Sequence, residues 1–91
     1  MAKYSLSEEA KDDLWRIFKY GVEQLGKIQA EKYFAMMHAC FRKIAKFPLL
    51  FPTTVKRNAT LRFCVCGVDT IYYQVVVNDV RIITIIGRQN F

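Results

Sequence analysis

Three cysteines, a single histidine and a scatter of arginines and lysines are the side chains of this 91-residue chain best suited to chemistry. Cys64 and Cys66 stand two apart, so in an extended strand both sulfurs share one face, and Cys40 with His38 would complete a four-ligand zinc set. Structural zinc sites draw their cysteine pairs from turns at wider spacing, so the pattern favours small apolar strand residues and no metal. The odd number of cysteines fits thiols kept reduced in a cytoplasmic protein rather than a disulfide framework. His38 lies beside Met37 in the middle of a helical segment, far in sequence from the basic strand residues, and reads as a boundary residue, not a catalytic one. Arg62, Arg81 and Arg88, with Lys56 and Arg57, are cations able to meet phosphate charge or an acidic protein.

These residues must be positioned by a few short elements. Tyr4 and Leu6 alternate with polar neighbours as a strand would, and Ser7-Glu8-Glu9 announces a helix: Ser7 caps it, and the two glutamates suit the positive end of its dipole. Ala10, Leu14, Ile17, Phe18, Gly21, Val22 and Leu25 recur at helical spacing until Gly26 ends the segment. A second helix starts near Lys27, carries Ile28, Ala30, Phe34, Met37, Cys40, Phe41 and Ile44 on one side, and stops before Pro48. The short link predicts an antiparallel helical hairpin. Trp15 and Tyr20 fall just off the first stripe; they mark its edge or, if exposed, anchor a partner helix.

From Pro48 to Asn58 no period survives, which predicts a loop. Leu61 to Val65, Ile71 to Val77 and Val80 to Ile86 then alternate and are rich in β-branched residues, which predicts a three-stranded antiparallel meander. Alternation sets Phe63 and Val65 against Arg62, Cys64 and Cys66. The last strand is apolar on both faces. With Cys64, Cys66, Val76, Ile83 and Ile85 on the face away from the helices, that face offers an apolar patch to a partner unless the Pro48 to Asn58 loop or the chain's end folds over it.

The length supports one domain, residues 1–91, and 53% apolar with 24% charged residues is the balance of a folded one. No apolar run approaches the roughly 20 residues of a membrane span, and the first residues lack a signal-peptide layout. The formal charge of +6 is unevenly spread. Six of the acids precede Lys32, whereas Lys32 to Val68 holds seven basic residues and no acid. Arg42, Lys43 and Lys46 among them suit a helix C-terminus.

At this level of organisation the chain resembles a known family. Leu6-Ser7-Glu8-Glu9-Ala10 with Asp13-Leu14-Trp15-Arg16-Ile17-Phe18-Lys19-Tyr20, then Gln29 to Tyr33, Phe47-Pro48, Arg62-Phe63, Ile71 to Val75, and Ile82 to Ile86 with Gly87-Arg88-Gln89-Asn90 are together similar to ParE-type toxins of the RelE/ParE superfamily. Ile86 departs from the histidine that often stands two residues before the signature arginine, and the turn after Phe63 is about one residue longer.

The resemblance implies an α+β fold and a plasmid-stabilising toxin of a type II toxin–antitoxin pair. Such a toxin inhibits DNA gyrase by binding, uses no cofactor, and is neutralised by a partially disordered antitoxin in a hetero-oligomer. It implies a target contact at Arg88, the signature arginine; Arg62, Arg81, Lys56 and Arg57, on the loop and sheet side, read as candidates to join it. An antitoxin would cover Val76, Ile83, Ile85, Tyr72 and Trp15. The alternatives are a RelE-like ribosome-dependent mRNA endonuclease and a degenerate toxin kept as a binding module. RNA cleavage needs proton-transfer groups beside its cations. Ile86 and Phe91 supply none, and Tyr72, Tyr73 and Lys56 are what remains; Tyr73 reads as a core aromatic and Tyr72 as the more exposed of the pair.

Overall fold

Ser7 starts the first helix as its hydroxyl allows, accepting from the Ala10 amide at 3.0 Å while donating to the Ile83 carbonyl at 2.7 Å. In the computed structural model, which describes residues 3–77 and 79–87, the elements run β1 (Tyr4–Leu6), α1 (Glu8–Leu25), α2 (Lys27–Lys46), β2 (Thr53–Lys56), β3 (Ala59–Cys66), β4 (Asp69–Val76) and β5 (Asp79–Gly87). Gly26, at φ 88°, closes α1 and opens α2, a conformation that a side chain would resist. The helical hairpin is therefore present as the spacing predicts.

The sheet is larger than a meander. It has five strands in the order β1-β5-β4-β3-β2, with β1 parallel to β5 and the other pairs antiparallel. Two things were hidden in the sequence. Thr53–Lys56, read as loop, pairs with β3 through a turn at Arg57 and Asn58, both at positive φ. The three-residue β1 docks beside β5, a parallel pairing that no local pattern announces.

The faces also differ from expectation. Cys64 and Cys66 point toward the helices and belong to the core with Ile71 and Tyr73, while Val65 is exposed. Alternation separates the two sets but does not say which one the helices cover; small residues lie inward here because α2 packs closely on β3. Cys40 on α2 and Cys66 on β3 are joined as a disulfide, so the expectation of three thiols fails, and Cys64 alone is free.

The two-faced apolar character of β5 has a geometric cause. Tyr72 opposes Thr84 and Tyr73 opposes Ile82, so Ile83 is an extra residue in the ladder. The bulge resets the alternation, and Ile82 and Ile85, three apart, both enter the core at 0% and 1% exposure. Ile85 is thus no part of an open patch. Past Ile82, β5 has outrun β1, and α1 side chains cover its bare edge: Asp13 Oδ2 accepts from the Ile85 amide at 3.0 Å and from Thr84 Oγ1 at 2.8 Å. This explains a carboxylate only 8% exposed on the inner side of α1.

Candidate functional site

The apolar stripe of α1 is longer than the sheet beneath it. Ala10 and Leu14 are buried over β5, but Leu25 is 68% exposed and Ile28, at the start of α2, 70%. The hairpin therefore overhangs the sheet end. Between them lies a cleft of about 290 Å³, lined on the helices by Ile17, Phe18, Leu25, Phe34 and Met37 and at the sheet end by Val68, Asp69 and Gly87.

Aromatic rings tie this cleft to the core. Trp15, 65% exposed, stacks on Phe18 at 6.3 Å; Phe18 meets Phe34 edge-on at 5.4 Å; Phe34 meets His38 at 4.7 Å; and His38 meets Phe41 at 5.4 Å. His38 also shares a hydrogen bond of 3.2 Å with the Tyr4 hydroxyl. Burial, and then the nearby Arg42 charge, lower its pKa, which favours the neutral ring. It is a packed histidine.

At the sheet end of the cleft Tyr33 is the organising residue. Its hydroxyl hydrogen-bonds Asp69 Oδ2, lies 3.2 Å from the Cys66 carbonyl and accepts from the Val68 amide at 3.2 Å. Burial and the bond to the Asp69 carboxylate push its pKa far up. Gly67, at φ 62°, sits beneath it, and a Cβ there would lie 2.7 Å from the Tyr33 oxygen. Neither Tyr33 nor the cleft was singled out from sequence; the signal present was an apolar stripe running past Gly21 with too few core strands to cover it.

Among the described residues, the predicted cations do not form one cluster. Arg57, at the β2–β3 turn, is held by both carboxylate oxygens of Glu9 at 2.7 Å. The Arg57 guanidinium is the main cause that draws the Glu9 pKa down to about 2, and Glu9 raises that of Arg57 in return. Arg62 donates to the Phe51 carbonyl at 2.6 Å, a structural duty. Lys56 lies 4.8 Å from the Tyr72 ring centroid, and Phe63 packs beside Tyr72 at 6.2 Å. The hairpin tip thus touches both Tyr72 and α1, so part of the predicted loop does reach over the outer face.

Arg81 is exposed on β5, opposite Gln74. Val76 is 40% exposed on the same sheet, and Ile83 and Tyr72 are half-buried. Arg88 lies outside the described residues. Cys40 and Cys66 are spent on each other, and among the described residues no group of three metal-ligating side chains gathers. Tyr73 is fully buried and donates to the Pro48 carbonyl at 2.7 Å.

A helical hairpin overhanging a five-stranded mixed sheet, with an apolar cleft at the overhang, defines a small α+β scaffold. The family model described as ParE toxin of type II toxin-antitoxin system, parDE, matches residues 4–90, and the chain belongs to that family. Its fold is similar to a solved chain of the chromosomal ParDE TA system from P. aeruginosa, at TM-score 0.81 and 15% identity over 96% of each chain. No curated protein sequence matches it. A toxin of such a system implies an antitoxin as partner. Among the described residues no helix is long and apolar enough to cross a membrane.

Proposed function

We propose that this toxin acts by binding DNA gyrase and is held inactive by an antitoxin whose helix fills the cleft between the hairpin and the sheet end. The observation that carries this reading is the cleft itself: an apolar stripe of α1 left uncovered by its own sheet, with Tyr20, 54% exposed, in its lining and Trp15, 65% exposed, stacked on the lining residue Phe18. A single amphipathic helix would complete the layer that the fold leaves open. This moves the main antitoxin seat from the sheet face to the helices. Trp15 stays in it, Ile85 leaves it, and Val76, Ile83 and Tyr72 become a lesser contact or part of the target face.

For the target, exposed Arg81 and half-buried Lys56 are the described candidates on the sheet, and Arg88 is carried by the family resemblance alone. Arg57 and Arg62 shape the scaffold instead. The Lys56–Tyr72 pair near Arg81 supports a second reading, RNA cleavage on the ribosome, since a lysine beside a phenol can move a proton. His38, the only histidine, takes no part in either.

The test is a supercoiling assay with purified gyrase and relaxed plasmid, using toxin freed of antitoxin and scoring linear DNA after detergent and protease. Inhibition that Arg81→Ala and Arg88→Ala each weaken at least tenfold supports the reading. No effect on gyrase by folded protein sinks it, and codon-linked cuts in translated messages would install the second.

A further inference from the structure

Three observations meet at the sheet end of the cleft. Cys40 and Cys66, 26 residues apart, are joined with their Cα atoms 6.6 Å apart, which fastens α2 to the end of β3. Seven residues before Cys40, about two helical turns along the same side, Tyr33 binds the β3–β4 turn through Val68 and Asp69 over a glycine that leaves it no spare room. The cleft takes its walls from both of these pieces, with Met37 one turn before Cys40 and Val68 two residues after Cys66. The disulfide therefore joins the two pieces of chain that carry these walls, without itself lining the cleft.

We propose that Cys40–Cys66 is a redox clamp holding the cleft in the shape its antitoxin needs, and that reduction loosens the cleft and weakens the antitoxin's hold. This rests on the cleft being the antitoxin's seat. The co-reactant is a dithiol. One of its thiolates attacks a clamp sulfur and forms a mixed disulfide; its second thiol then displaces the toxin and closes the reductant's own disulfide. Two electrons and two protons pass to the toxin, which is left with thiols at Cys40 and Cys66. Attack falls on Cys40, which is half-buried, whereas Cys66 is 3% exposed. Cys64 takes no part: it is 6% exposed, and burial pushes its thiol pKa up.

Without the clamp, the Tyr33 hydrogen bonds still tie α2 to the turn, but no covalent link does. The partner must then order the cleft as it binds, a cost that a preorganised seat avoids. The toxin would be freed under conditions that reduce it, with no change in the amount of antitoxin.

The experiment uses the full chain and the antitoxin of its own operon. Alkylation of the unreduced, denatured protein, read by mass spectrometry, should label Cys64 alone. Hydrogen exchange on the free toxin should then speed up in residues 33–40 and 67–70 on reduction. The antitoxin Kd should rise about tenfold, and Cys40→Ser should match the reduced protein and ignore reductant. Cys64→Ser should keep the wild-type response. Labelling of all three cysteines, or equal exchange and equal Kd in both states with antitoxin protection at the cleft, overturns the clamp alone. Protection by antitoxin mapped away from the cleft overturns the seat as well.

Discussion

Arg57 shows how far a single residue's meaning depends on what reaches it. In sequence it belongs to a stretch without acids and reads as a free cation for a target; in space Glu9, 48 positions earlier, takes both its nitrogens. The pair also holds a turn whose two residues are at positive φ without being glycine, a conformation that costs energy and needs anchoring. The Glu9 carboxylate pKa, about 2 in the folded chain, should return toward 4.5 in Arg57→Ala, read by NMR titration. The sign follows from the depression: the pair's stabilisation is complete above the unfolded value near 4.5 and fades as pH falls through about 2. Gly67 is a second such residue, readable as a turn glycine but not as the floor beneath Tyr33. Gly67→Ala combines positive φ with a Cβ driven into the Tyr33 oxygen, and should cost about 2–3 kcal/mol in urea unfolding.

At the scale of elements, both helices and the three long strands were legible because their periods are strong and their ends carry Ser7, Gly26 and Pro48. What was not legible depends on partners far along the chain. β2 is four residues, Thr-Thr-Val-Lys, none of them fully buried, so its sequence offers no apolar alternation to read, and only its ladder to β3 makes it a strand. The inward turn of Ile85 depends on a bulge at Ile83 that opposes Tyr72 and Tyr73, and no residue type marks it. Asp13 fell within the run that resembles the family, yet its work is to finish the edge of β5 where β1 stops short. Asp13→Ala would leave the Ile85 amide and the Thr84 hydroxyl unpaired in a buried place, a loss of about 3 kcal/mol by denaturant unfolding. Arg16→Ala removes only the exposed partner of that carboxylate and should cost under about 1 kcal/mol.

For the molecule as a whole, the proposed antitoxin seat and the proposed target contacts fall on different parts of the fold. Trp15 and Tyr20 stand on the hairpin beside the cleft, whereas Lys56, Tyr72 and Arg81 stand on the sheet. Trp15, Tyr20 and Arg81 are exposed, so their substitution should change folding stability by no more than about 1 kcal/mol. Binding is another matter, because an exposed aromatic that becomes buried at an interface can carry about 2 kcal/mol or more. Trp15→Ala with Tyr20→Ala should therefore weaken the antitoxin at least 30-fold by calorimetry and leave gyrase inhibition by free toxin unchanged. Arg81→Ala should do the reverse. If antitoxin and target instead shared one surface, each variant would lose both partners in the same proportion. The exposure of the hairpin aromatics on one side, and the use of Arg57 and Arg62 to shape the other, make the two losses separable.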